Sequence, residues 1–513
     1  MKKTYQSIMI TLILAIVFSA CTKLDEKLYD KIDARTFYKN TDEINAGVAD
    51  LYVRLNNVHL WLKHWELQEC STDHGMCPWG DGDVFKMDQL HTVTTQHSPN
   101  HDVYVGTFQA IAACNSFLEN VKLANPVNLK ELEGEAQALR AWSYIDLIDL
   151  WGNVPIVTVA QVDPSNLPKT AKRADVFSFI ETELKDAISK LPAANDIANK
   201  DALYPRVISK EAAQAFLVKL YLNAEVWSGT ARWQDVVTTA DAIINSGAYS
   251  IPGGYGDLWK TFAPDNNTST NNKEIIFALS RDAVTYWSPS FGNWVNCLGT
   301  HGELKGAVRD GKDLGISQIF WGGPSVLEET YDIYDSTDFR RGLILKGEFY
   351  DKDGKLLIDI KPFDNVDIKT FPDSKKGLTS IKYKPDANQT FFFGANDLIL
   401  FRYADVLYSK AEALYRLNAG NKAAAEALIT QVYTRNFVGG KTFTLTSLND
   451  ILMERSREFL WETSYRTDLI RFGKFLNMRT LWHTSDDPAF RILYPIPQSE
   501  MDSNPNLIQN PGY

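Results

Sequence analysis

The residues whose chemistry stands out lie in a polar loop, Ser71-Thr72-Asp73-His74-Gly75-Met76-Cys77-Pro78-Trp79-Gly80-Asp81-Gly82-Asp83. Trp79, between a proline and a glycine, has few apolar neighbours in sequence to bury it. An exposed indole on a stiff loop stacks on the C–H face of a sugar ring, while carboxylates such as Asp73 and Asp81 accept hydrogen bonds from the hydroxyls. The plain alternative is Trp79 folded back as a lid on its own loop, since tryptophan is mostly buried. A second set of aromatics sits in turn-rich sequence: Tyr286-Trp287-Ser288-Pro289, Trp294 and Phe320-Trp321-Gly322-Gly323-Pro324. Loops concentrate binding groups. Trp321 is the strongest of these, because the glycines and proline after it shape the backbone without covering the ring. Trp287 and Trp294 read equally well as core residues.

Two other constellations invite chemistry and are weaker. Six of the eight histidines fall between His59 and His101. His97 and His101 have the four-residue spacing of paired imidazole ligands, but Pro99 lies between them and predicts a broken helix there. Asp81-Gly82-Asp83 lacks the remaining ligands of a calcium loop. The residues therefore define no metal site. Glu454, Arg455, Arg457, Glu458, Glu462, Arg466, Asp468 and Arg471 crowd one segment. Each acid has a guanidinium within a turn, which keeps it ionised, whereas a general acid needs a raised pKa. That segment is expected to be a structural ion-pair network. Outside Cys21 the thiols are Cys70, Cys77, Cys114 and Cys297, whose pairing spacing alone leaves open.

The elements that position these loops are helical. Residues 131–150 carry apolar side chains on nearly every face, followed by Gly152 as a C-cap and Pro155 as a stop, which predicts a core helix with a fixed exit. Thr41 is placed as the cap of a helix burying Ile44, Val48, Leu51 and Tyr52. Further helices are expected over 103–123, 173–191, 211–227 (capped by Ser209), 233–246, 404–417 and 423–436, and the Ala-rich pairs read as tetratricopeptide-like hairpins. Between 248 and 400 the helical period disappears. Pro, Gly, Asn and aromatics replace it, with strand-like runs at 274–279, 356–360 and 380–383. The fold class is therefore mostly α, a helical-repeat superhelix with a large loop-rich region and a few short strands. The divisions expected are 1–20, 21–247, 248–400 and 401–513, within one integrated body.

At the amino terminus, Lys2 and Lys3 precede the apolar run 8–18 and then Ser19-Ala20-Cys21. This is the pattern of an export signal, too short to span a bilayer, with a cysteine where a lipoprotein carries its acyl chains. Acyl anchoring leaves a protein on a membrane rather than across it. With 53 basic against 64 acidic residues the formal charge is −11 and there is no basic tract, so nucleic acid is not an expected partner.

Four stretches together resemble the SusD/RagB family of surface glycan-binding lipoproteins. They are Glu135-Ala136 through Leu150-Trp151-Gly152-Asn153-Val154-Pro155-Ile156, Phe401 to Leu414, Glu454 to Lys474, and Leu493 to Tyr513, in that order along nearly the whole chain. Asp405 stands where the family pattern has Glu. Ser71-Thr72-Asp73 resembles an S-x-D element beside the family's ligand loop, and Arg340-Arg341-Gly342, after Asp335 and Asp338, resembles the family's D-x-R turn and reads as structural. The resemblance implies a right-handed superhelical scaffold and no catalytic residue. It also implies a receptor that passes oligosaccharide to a SusC-type TonB-dependent transporter at the outer membrane. No cofactor is required. A bound Ca²⁺ occurs in such proteins, and nothing in this sequence locates one. The alternatives are a lipid-anchored glycoside hydrolase or lyase, which needs two acids in an open cleft, and a receptor for peptide cargo.

Overall fold

Eight long helices follow one another and each packs on the next. In the computed structural model, which describes residues 38–59, 62–79, 84–197, 208–264, 272–280, 300–317, 322–364, 376–387 and 395–513, these are α1 (Thr41–Val58), α2 (Ser98–Ala124), α3 (Leu129–Leu150), α4 (Arg173–Lys190), α5 (Lys210–Leu222), α6 (Trp233–Asn245), α7 (Tyr403–Leu417) and α8 (Lys422–Tyr433). The array is continuous from α1 to α8, and α6 packs on α7 although residues 246–402 separate them. This is the repeat logic of a solenoid, in which each helix buries one side on its predecessor and one on its successor. Two further helices, α9 (Leu448–Glu458) and α10 (Tyr465–Arg471), pack against each other, and α9 also lies on α7.

The helix α3 is the axis of the core. Every residue from Gly134 to Leu150 is buried, so its polar side chains must find partners inside. Arg140 donates to Glu183 of α4 at 2.8 Å and to Asn115 of α2 at 2.7 Å. Gln137 donates to Asp186 at 2.7 Å, and Tyr52 of α1 donates to Glu135. The predicted exit is present: Gly152 has φ +72° and its N–H bonds Leu147 O at 3.1 Å. The carboxy-terminal tail folds back onto this exit. Tyr494 N–H bonds Leu150 O at 2.8 Å and Asn510 Nδ2 bonds Trp151 O at 2.8 Å.

Local corrections have simple causes. Asn40, not Thr41, caps α1, its side chain accepting from Glu43 N–H. The helix α2 begins at Ser98 rather than 103, because Pro99 falls in the first turn, where a missing N–H costs nothing. The expected helix 211–227 breaks at Asn223, whose side chain bonds Lys219 O, and a short turn Ala224–Ser228 follows.

Between α6 and α7 the chain forms β1 (Ile275–Leu279), β2 (Val308–Arg309), β3 (Lys312–Asp313), β4 (Ile344–Leu345), β5 (Gly347–Tyr350), β6 (Leu356–Ile360), β7 (Thr379–Ser380) and β8 (Leu398–Arg402). They make three small antiparallel sheets, β1–β8, β3–β2–β5–β6 and β4–β7. Pairing of β1 with β8 closes this region at its root, and β8 runs straight into α7.

Buried ion pairs fix that root to the helices. Arg402, at the end of β8, reaches Glu274, Glu458 and Glu462 at 2.7 to 2.8 Å. Arg435 pairs with Glu274 at 2.7 Å and Glu458 at 2.8 Å. Arg340, in the turn after Asp338, pairs with Asp338, Glu454 and Glu458. The guanidiniums around Glu458 hold its carboxyl far below the usual carboxylate range against the opposing effect of burial. The acid-and-base segment and the D-x-R turn are thus structural, the first as its spacing predicted and the second as the resemblance implied.

Candidate functional site

The Trp79 loop is seated by an unusual turn. A short helix, Lys63–Trp65, runs into the π-helical turn Glu66–Cys70, a geometry that recurs at functional sites. Gln68 Nε2 donates to Asp149 of α3 at 2.8 Å, and Thr467 Oγ1 of α10 donates to the same carboxylate at 2.5 Å. The loop then closes on itself: Ser71 Oγ bonds Leu67 O, Thr72 Oγ1 bonds Glu69 O, and Gln89 Nε2 bonds Cys70 O and Gly75 O. His74 bridges Glu69 and Ser456 at 3.0 and 2.7 Å and stacks on Tyr465 with ring centroids 3.6 Å apart. Trp461 Nε1 donates to His74 O at 2.9 Å. Such density of backbone anchoring makes a rigid platform.

The platform is joined to the second aromatic loop. Met76 and Ser325 exchange backbone hydrogen bonds at 2.9 and 2.7 Å as an isolated antiparallel bridge. Continuing outward, Trp79 lies over Gly323: a Cβ there would come within 2.4 Å of the indole. Phe85 meets the ring edge-on, with centroids 6.4 Å apart. Trp79 is therefore half-buried, with one neighbour contributed by the distant loop, where its own sequence neighbourhood predicted bare exposure. The reason is the 76–325 pairing, which no local pattern announces. Gly322 and Gly323 follow directly on Trp321.

Asp73 is placed differently from the sequence expectation. Its backbone oxygen accepts from Thr330 Oγ1 at 2.6 Å, one carboxyl oxygen is buried with no hydrogen-bond partner among the described residues, and the group neighbours Tyr465. Burial raises its pKa. Asp81, Trp287, Trp294, Trp321, Cys297 and the lipid-attachment candidate Cys21 lie outside the described residues. Cys70, Cys77 and Cys114 are buried, and Cys70 and Cys77 are not joined in a disulfide. Seven of the eight histidines are buried, and His101 is partly exposed. His97 caps α2 through Nδ1, which accepts Asn100 N–H at 3.3 Å, while His101 pairs with Asp102 at 2.9 Å. The two do not face a common ligand position.

A separate cleft of 1450 Å³ was not foreseen. Tyr255, Trp259, Tyr331, Tyr350 and Phe437 supply its aromatic walls, with Arg309, Arg341 and Lys346 among its cations and Asp310, Asp313 and Glu348 among its acids. None of its lining residues comes from the loop 71–79 or from 322–325. The only sequence sign was a tyrosine set among glycines, Gly253-Gly254-Tyr255-Gly256. Tyr350, whose hydroxyl donates to Glu348, is exposed on the sheet that forms one wall.

Comparison with known proteins agrees with this architecture. A profile described as "SusD family" matches residues 370–513, and one described as "Starch-binding associating with outer membrane" matches residues 24–222. The chain is 26% identical over 492 residues to the starch-binding protein SusD of Bacteroides thetaiotaomicron, covering 87% of this chain and 84% of that protein. It is 23% identical to SusD-like protein P2 of Formosa agariphila, with 100% of both chains covered. The crystal structure of a SusD homolog from Bacteroides thetaiotaomicron superposes with a TM-score of 0.74 at 21% identity, over 94% of this chain and 99% of that one. A laminarin binding SusD-like protein gives 0.73 at 22% identity, over 93% and 100%. With its helical array, its motifs in order at α3, α7, α9 and the folded-back tail, and these matches at both ends, the chain is similar to the SusD/RagB family over nearly its whole length.

Proposed function

We propose that this protein is a non-catalytic glycan receptor on the outer membrane. It captures an oligosaccharide on the aromatic loops and passes it to a SusC-type TonB-dependent transporter. The observation that carries this reading is the joining of the Trp79 loop to the segment 322–325, which lays the indole of Trp79 against Gly323, two positions after Trp321 in sequence. Trp79 and Trp321 supply stacking, with Trp287 and Trp294 as further aromatics and Asp81 as hydroxyl acceptor. Asp73 supports the loop from within. Cys21 carries the lipid. Relatives named for starch and laminarin favour a glucan-type cargo.

Among the described residues, the cleft with Asp310, Asp313 and Glu348 in its walls offers the hydrolase alternative a place to act. Two acids whose pKa burial raises are Glu135, pushed up to about 7 and sealed between α1 and α3, and Asp73 in the Trp79 loop. Incubation with glucans, followed by assay for new reducing ends, tests the two readings. The receptor binds and releases nothing; product formation abolished by Glu348→Gln would establish the enzyme instead.

A further inference from the structure

Among the described residues the interior holds three groupings of histidine with carboxylates: Glu66, Asp88 and His97; His91, His483 and Asp487; and His59, His64 and Asp146. Two of them are anchored by a histidine hydrogen-bonded through both ring nitrogens, although Glu66 Oε1, Asp88 Oδ2 and His483 Nε2 have no hydrogen-bond partner among the described residues. His97 spends Nδ1 as an acceptor for Asn100 N–H, so its Nε2 carries the proton and faces Asp88 at 3.3 Å and Val84 O at 3.3 Å. His91 uses both nitrogens, on Asp487 at 2.5 Å and on Ser71 O at 2.7 Å.

The third is not. Of the buried ionisable residues on α3, Glu135, Arg140 and Asp149 each have hydrogen-bond partners, but Asp146 Oδ2 has none among the described residues. The ionic neighbours of Asp146 among those residues are two imidazoles, His64 Nε2 at 3.4 Å from Oδ1 and His59 Nε2 at 3.9 Å from Oδ2. The adjacent Lys63 turns outward to Asp102 and supplies no charge to it. Neither ring nitrogen of His64 has a hydrogen-bond partner among the described residues, although the side chain is only 3% exposed. A buried imidazole and carboxylate left in this state are costly unless something sits between them. The nitrogens and the carboxylate oxygen converge within 4.8 Å of one another. Ligand atoms around a tetrahedral Zn²⁺ are spaced by about 3.3 Å, given metal–ligand bonds of about 2.0–2.1 Å. The 3.4 Å edge matches that, and the 3.9 Å edge needs only a small ring adjustment.

We infer that His59, His64 and Asp146 form a binding site for a transition-metal cation, of which Zn²⁺ is the natural probe. Two imidazoles and one carboxylate suit Zn²⁺ and not the all-oxygen preference of Ca²⁺. The ion would staple the end of α1 and the Lys63–Trp65 turn to α3, at the root of the Trp79 loop. Leu62, between the two histidines in sequence, holds φ +66°. That strain is of the kind that persists where surrounding contacts demand it.

The test is metal retention. The purified chain is stripped with chelator, dialysed against equimolar Zn²⁺, and assayed for bound metal, with X-ray absorption reporting the ligands. One zinc per chain with two imidazoles in its first shell is expected. His64→Ala and the near-isosteric Asp146→Asn should weaken retention by about a hundredfold or more, comparable to or beyond losses at supporting residues, while His483→Ala retains the metal. Circular dichroism of each metal-free variant establishes folding, and if His64→Ala unfolds, Asp146→Asn decides. No retained zinc in the wild type, equal retention in a folded Asp146→Asn variant, or loss that follows His483→Ala would overturn the assignment.

Discussion

At the scale of single residues, the account rests on how Trp79 is held. Its indole lies so close over Gly323 that any side chain there collides with it. Gly323→Ala should therefore displace the ring and weaken glycan binding about tenfold or more, consistent with the 0.5–1.5 kcal/mol of an aromatic contact and the lost orientation. Titration calorimetry against wild type measures it, and unchanged affinity would mean the ring's position does not matter. A second residue-scale prediction concerns Glu135. Its pKa is pushed up to about 7 from 4.5, chiefly by burial. The folded chain keeps this proton while the unfolded chain has already released it, so stability falls as pH rises from about 4.5 to 7. Glu135→Gln should remove that decline, being about 3 kcal/mol more stable than wild type at pH 8 and equal to it at pH 4. Denaturant titrations at the two pH values check the sign.

At the scale of elements, most of the helices were legible because periodicity, caps and stops are local signals. Ser209, Gly152 and the apolar girth of α3 each act within one or two turns. What was not legible was set by distant pairing. Trp79 is covered by a glycine 244 positions away, and the cleft draws its walls from Tyr255 to Lys441. The inward histidines likewise looked like loop residues until partners from other elements surrounded them. The ion-pair segment was readable because its acids and bases are neighbours in sequence, yet its role as a clamp between β8 and the helices was not. Removing one member tests that role. Glu458→Ala leaves the guanidiniums of Arg340, Arg402 and Arg435 short of a counter-charge. It should destabilise the fold by about 3–5 kcal/mol, read by thermal or denaturant unfolding, whereas a loss under 1 kcal/mol would show the clamp to be redundant.

At the scale of the whole molecule, the helical array and the irregular region divide the labour. Consecutive helices bury one another and leave a scaffold whose loops are free to vary, while the clamp at Glu274, Arg402 and Arg435 holds the irregular region at a fixed root. Its carboxylates Glu274 and Glu458, with Glu412 and Asp468 in the neighbouring cluster, have pKa values lowered by adjacent guanidiniums. Their stabilisation is present above the ordinary carboxylate pKa and is lost as pH falls through the lowered values. The scaffold thus weakens in acid through this region. The proposed presentation of Trp79 to a sugar is put to the test by calorimetric titration of wild type and Trp79→Ala with starch and laminarin oligosaccharides. Wild type should bind at least one of them, with the variant at least tenfold weaker at unchanged unfolding temperature; equal affinity of the two chains, or no binding by wild type to either glucan, would contradict it.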